Sequence, residues 1–115
     1  MEDRLEEIKK IVEQMPNDPF PRYGLAMEYK TSGNLQAADE TFRDLAQRHP
    51  AYVPQYLMHG QVLVALQRPD DARAALQAGI AAAQRAGNAH ALGELRSALD
   101  AVDRGGRPDG DDDDD

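Results

Sequence analysis

Apolar residues recur along this chain at helical spacing, with no sustained strand-like alternation. Leu5, Ile8, Ile11, Val12 and Met15 form one stripe and predict a first helix over about residues 3–15. Pro16 ends it. A second helix, about 19–32, carries Leu25, Ala26 and Tyr29; Gly33 then tolerates positive φ and Asn34 can cap the next helix. A third, about 35–49, carries Ala38, Phe42, Leu45 and Ala46 and stops at Pro50. A fourth, about 53–66, holds Tyr56, Gly60 and Leu63. Pro69 suits the first turn of a fifth, about 69–86, because its missing N–H has no intrahelical partner there. Gly87-Asn88 breaks the chain before a sixth, about 89–102, with Leu92, Leu95, Leu99 and Val102. The pattern predicts an all-α chain of about six antiparallel helices with short connectors.

The stretch PNDPFPRYGL places Pro16, Pro19 and Pro21 within six residues. Pro16 and Pro19 match the spacing of a polyproline docking motif. However, Pro16 recurs as Pro50, 34 residues later, and Pro19 and Pro21 are echoed by Pro54. Proline in a helix's first turn removes only an N–H that has no intrahelical partner, and Asp18 can cap the helix. The prolines therefore read as punctuation between units.

The same 34-residue interval relates Ala26 to Gly60, Ala38 to Ala72, Phe42 to Leu76, and Ile11 to Leu45. Small residues recur where two helices must approach closely, and large ones where they interlock. In this the chain resembles the tetratricopeptide repeat family. Counting from Pro19, Leu25-Ala26, Tyr29, Gly33, Ala38, Phe42 and Pro50 take the family's positions 7–8, 11, 15, 20, 24 and 32. Counting from Val53, Tyr56, Gly60, Leu63, Ala72, Leu76 and Gly79 take positions 4, 8, 11, 20, 24 and 27. Four positions depart from the pattern: Arg22 at 4, Leu45 at 27, His59 at 7 and Gln84 at 32. The resemblance implies a right-handed helical-repeat solenoid. It divides residues 1–103 into a half-repeat helix (3–15), two repeats (19–52 and 53–86) and a capping helix (89–102) slipped by about two residues. Ile8, Ile11 and Pro16 put the first helix at second-helix positions 24, 27 and 32.

Composition adjusts this picture in a few places. A length of 115 residues allows one domain at most. Six of the 21 acidic residues lie at Asp109 and Asp111–Asp115; the remaining 15 nearly balance the 13 basic ones, so most of the net charge of −8 belongs to the tail. Residues 104–115 have no apolar content and read as a disordered acidic tail. Their adjacent aspartates lack the spaced ligands of a Ca²⁺ loop. Without a basic stripe to neutralise phosphates, nucleic acid is not expected as a partner. The charged N-terminus MEDRLEEIKK has no apolar signal region, and no stretch approaches a membrane span, so a cytoplasmic protein is expected. Arginine outnumbers lysine ten to three, a usage that points to a GC-rich bacterial genome.

Nothing in the sequence assembles a reaction. There is no cysteine. His49, His59 and His90 are the only histidines; the last two fall on the fourth and sixth helices and are able to face each other, but no third ligand accompanies them. Thr31, Ser32, Thr41 and Ser97 read as helix-end or surface residues without a base beside them. The carboxylate pairs Glu6-Glu7, Asp39-Glu40 and Asp70-Asp71 read as solvated helix faces or first turns. No catalysis, cofactor or metal is expected.

The six aromatics are more informative. Tyr29, Phe42 and Tyr56 fall at positions the family's core uses. Phe20, Tyr23 and Tyr52 fall at positions that the resemblance turns into a concave groove, along with Met27, Leu57, Gln61 and Val64, and Lys30 on its rim. Such an apolar concavity suits a helix or extended peptide. The resemblance therefore implies a scaffold-like protein-binding module. The alternative is a homodimeric assembly subunit whose groove is buried against a second copy. The groove lacks the basic, Asn-bearing clamp with which chaperone-binding members hold a C-terminal carboxylate, which disfavours that kind of partner.

Overall fold

The computed structural model of the protein describes residues 2–105, and within them each loop proline and turn glycine sits at a helix end. There are six helices: α1 (Glu2–Gln14), α2 (Pro19–Thr31), α3 (Leu35–Arg48), α4 (Pro54–Ala65), α5 (Pro69–Ala86) and α6 (Ala89–Asp103). The described residues contain no strand. Asp18 caps α2, accepting a hydrogen bond from the Phe20 N–H at 3.0 Å, with Pro19 as the first helical residue. Asn34 caps α3 through the Ala37 N–H at 3.3 Å, and Asn88 caps α6 through the Ala91 N–H at 3.0 Å. The acidic-tail reading lies, from residue 106 onward, outside the described residues.

The backbone groups into two compact units, one ending at Pro50 and the other beginning at Ala51. In the first, α2 and α3 pack as a hairpin and α1 packs on α2. Ala26, Ala38, Phe42 and Leu45 have no solvent exposure, and Val12 joins them from α1. Arg22, at a position where the repeat pattern has a large apolar residue, is buried along its stem. Its guanidinium lies 3.1 Å from Asp44 on α3 and donates to the Pro16 carbonyl at 3.3 Å. One side chain thereby fills the apolar position and ties the α1–α2 turn to α3.

In the second unit, α4 and α5 form the hairpin, and α6 packs on both. The core holds Tyr56, Val62 and Leu63 from α4, Leu76, Ala82 and Ala83 from α5, and Leu95, Ala98, Ala101 and Val102 from α6. Gly60 faces Leu76, and Gly79 faces Tyr56 and Leu95. Burial pushes the Tyr56 phenol above its ordinary pKa, with the nearby Arg85 opposing the shift. Arg73, on α5, donates to Asp103 at the end of α6 (2.7 Å) and to Asp70 (2.8 Å). Those hydrogen bonds raise its pKa, but the group is exposed and the pairs add little stability.

Several details correct the sequence reading. Met15 lies beyond the end of α1 and is 47% exposed, and Ile11 is 43% exposed, so only Val12 of the predicted stripe is buried. Asp39 is not on a solvated face; it has no exposure and pairs with Arg43 one turn on, at 3.3 Å. Thr41 lies in mid-helix, where its hydroxyl donates back to the Ala37 carbonyl at 2.8 Å. Tyr29, read as core, is half-buried.

The α2–α3 turn reaches left-handed backbone at Gly33 (φ +86°). The α4–α5 turn does so 34 residues later at Gln67 (φ 62°), where a Cβ is unfavourable. Gln67→Gly is therefore expected to stabilise the protein by about 0.5–1 kcal/mol, the strain relieved at a left-handed position less the entropy glycine adds to the unfolded chain. Urea unfolding with unchanged m-value checks this; a lower midpoint would show that the turn is not strained.

Candidate functional site

The predicted groove residues fall into one stripe on each unit. On α2, Phe20, Tyr23, Met27 and Lys30 are spaced three, four and three residues apart, and so lie along one helix face. Phe20, in the first turn after the Asp18 cap, leaves 66% of its surface in solvent. Tyr23, Met27 and Lys30 are half-buried. The Tyr23 ring is held edge-on against Phe42 of the core, with centroids 6.4 Å apart and planes at 62°. Phe42 thereby fixes one aromatic of the stripe from beneath.

In the second unit, Leu57, Gln61 and Val64 of α4 repeat the pattern with spacings of four and three, and all three are half-buried. Tyr52, half-buried, precedes the helix. Its carbonyl accepts a hydrogen bond from the Gln55 side-chain amide at 3.1 Å, which anchors the segment entering α4. The other faces of α4 carry Tyr56, His59, Val62 and Leu63, all buried. Each unit thus has a first helix with one face in the core and an adjacent face half open to solvent.

The remaining candidate chemistry separates. His59 is buried on α4, whereas the His90 side chain is 86% exposed and lies 3.6 Å from Glu94 one turn along α6; the two do not face each other. His49 caps the end of α3. Among the described residues, no group of three or more His, Asp or Glu is placed to hold a metal ion. Thr31 and Ser32 donate to the Met27 and Tyr29 carbonyls, at 2.8 and 3.1 Å, in a helix end. No described helix is long and apolar enough to cross a membrane.

The sequence reading missed Arg22 as a bridge between elements. A signal for it exists: a charged residue at an apolar repeat position, with Asp44 at the facing register of the paired helix.

The sequence matches no protein-family model and no curated protein. Solved structures do match. A tetratricopeptide repeat domain protein from Salinibacter ruber, determined by solution NMR, is 35% identical, with 77% of this chain and 90% of that one covered and a TM-score of 0.73. A crystal structure of the tetratricopeptide repeat domain protein from Salinibacter ruber is 35% identical, with 75% of this chain and 97% of that one covered and a TM-score of 0.71. The chain belongs to the tetratricopeptide repeat family. Tetratricopeptide repeats serve generally as protein-interaction modules, and this one is a small member with two repeats and flanking helices. In its repeat frame, α2–α3 and α4–α5 are complete repeats, α1 is a second helix without a first, and α6 is a terminal first helix.

Proposed function

We propose that this tetratricopeptide repeat protein is a non-catalytic module that binds an apolar peptide or helix on the stripes of α2 and α4. Phe20, Tyr23, Met27, Tyr52, Leu57 and Val64 supply the apolar contacts, and Lys30 and Gln61 supply polar ones at their margin. The observation that carries this reading is Phe20, an aromatic ring 66% exposed at the head of a stripe whose next members are half-buried. An isolated exposed apolar residue has no special meaning, but one aligned with Tyr23 and Met27 offers a continuous contact surface. Rigid packing beneath supports the same reading: Tyr23 rests on Phe42, so its ring is ordered before a partner arrives.

The test is affinity capture from the native organism with partner identification by mass spectrometry, followed by binding measurements on variants. Met27→Glu combined with Leu57→Glu is expected to weaken capture of the identified partner by a hundredfold or more, since two buried charges in an apolar contact cost about 3–5 kcal/mol. Helicity by circular dichroism should remain unchanged, because both side chains are half-open. Capture that survives the double substitution refutes the assignment. Sedimentation addresses the homodimer: a dimer dispersed by Tyr23→Asp would transfer the stripes to a self-interface.

A further inference from the structure

α1 holds second-helix positions without a first helix over them. Ile8 and Ile11 are its positions 24 and 27, and the two complete repeats show what covers those positions. Phe42 and Leu45, the equivalents in α3, have no exposure. Leu76 and Gly79, the equivalents in α5, are covered by α4, with Leu76 against Gly60 and Gly79 against Tyr56. Ile11, in contrast, is 43% exposed, and Met15 one turn on is 47% exposed. A shallow open hollow continues from Met15 along Pro16, Asn17, Asp18 and Pro19.

The first repeat also shows the charge pairing between first and second helices. Arg22 at position 4 of α2 lies 3.1 Å from Asp44 at position 26 of α3. Position 26 of α1 is Lys10, which is exposed, so a helix covering α1 fits when it carries an acid where α2 carries Arg22. It also needs a small residue at position 8, as at Ala26 and Gly60, and a large one at position 11, as at Tyr29 and Leu63. The α6 helix of a second copy does not meet these needs. With Leu92 at position 4, its position 8 is Arg96, and its exposed side chains include His90, Glu94 and Asp100.

We propose that the α1 face is a second docking surface, independent of the α2 and α4 stripes. It takes an amphipathic helix of another protein that bears an acidic residue, a small residue four places later, and a large apolar residue three places after that. The incoming helix completes the half-repeat. Ile11 and Met15 supply apolar contact and Lys10 selects the acid.

The probe is a fluorescein-labelled peptide of residues 18–33 carrying Arg22→Glu, with the unsubstituted peptide as control, titrated against the full chain by fluorescence anisotropy. The substituted peptide is expected to bind about tenfold more tightly than the control, the scale of one charge reversal at a close pair. In the Lys10→Glu protein the order of the two peptides should reverse, and in the Ile11→Glu protein binding should be lost. Both positions are exposed, so circular dichroism should report an unchanged fold. Absence of saturable binding, or an order indifferent to Lys10→Glu, overturns the proposal. Loss of binding in Met27→Glu/Leu57→Glu but not in Ile11→Glu also overturns it, placing the peptide on the stripes. Self-association dispersed by Ile11→Glu assigns the face to a second copy and overturns the foreign helix.

Discussion

Replacing Gly79 with alanine is expected to destabilise the protein by about 2–3 kcal/mol, and replacing it with leucine to abolish the folding of the α4–α5–α6 unit. A Cβ on Gly79 would lie 2.5 Å from Tyr56 Cβ and 3.0 Å from both Tyr56 Cγ and Leu95 Cδ2. Tyr56 Cβ is attached directly to the backbone and no rotamer change moves it away, so the helices themselves must separate. Gly60 provides the internal control. Its added Cβ would meet Leu76 Cδ2 at 2.8 Å, and that atom is the end of a side chain that is able to turn. Alanine in a helix interior gains about 1 kcal/mol over glycine, which offsets much of the smaller clash at Gly60 but not the backbone-borne one at Gly79. Urea unfolding of the two alanine variants reads the difference directly. Equal stabilities would show that the α4–α5 contact is softer than its geometry. Gly60→Leu also exceeds what a rotation of Leu76 absorbs and should lower helicity.

The second large effect is expected at Phe42. Phe42→Ala should cost about 3–5 kcal/mol, a large share of the roughly 5–15 kcal/mol that holds a small domain together. The ring has no exposure, and it supports both the α2–α3 hairpin and the Tyr23 ring above it. Phe42→Leu separates those two roles. It keeps most of the apolar volume, so the fold should survive, but it removes an aromatic edge contact worth about 0.5–1.5 kcal/mol. The Tyr23 ring-proton chemical shifts should then move toward random-coil values, while the α3 amides keep their protection from hydrogen exchange. Unmoved Tyr23 shifts would mean that something other than Phe42 holds that ring. The connection to function is direct, because Tyr23 belongs to the stripe proposed to meet the partner.

Legibility in the sequence depends on which contacts are local. The caps at Asp18, Asn34 and Asn88 involve residues two or three apart, and each behaves as the chain chemistry requires. Helix α5 spans Pro69 to Ala86, the range the sequence predicts, because a first-turn proline and a terminal Gly87 are strong local signals. The 34-residue recurrence pairs small with large residues, and the Gly60–Leu76 contact that it implies is present. Periodicity alone does not distinguish covered from uncovered apolar residues. Ile11 and Leu45 share a repeat position, yet one is 43% exposed and the other not at all, because only α3 has a first helix over it. Gln67 escapes a sequence reading for a related reason: the left-handed turn is set by the hairpin geometry, and glutamine carries no turn signal of its own.

Polar residues are the least legible. Asp39 and Arg22 look like surface charges in sequence, and both are buried. Their placement depends on partners from the paired helix or one turn along, and a charge enters an interior only where such partners meet it. The stripes divide in the same way. Spacing assigns Phe20, Tyr23, Met27, Leu57, Gln61 and Val64 to helix faces, since 3.6 residues per turn is a property of the backbone. Only packing decides that Phe20 stays in solvent while Tyr23 leans on Phe42. The sequence by itself thus determined the helices, their caps and the repeat, all of which arise from short-range backbone chemistry and a fixed period. The tertiary structure decided which apolar faces are covered and where the charges find partners, because each of those depends on a neighbour that lies close in space and far along the chain.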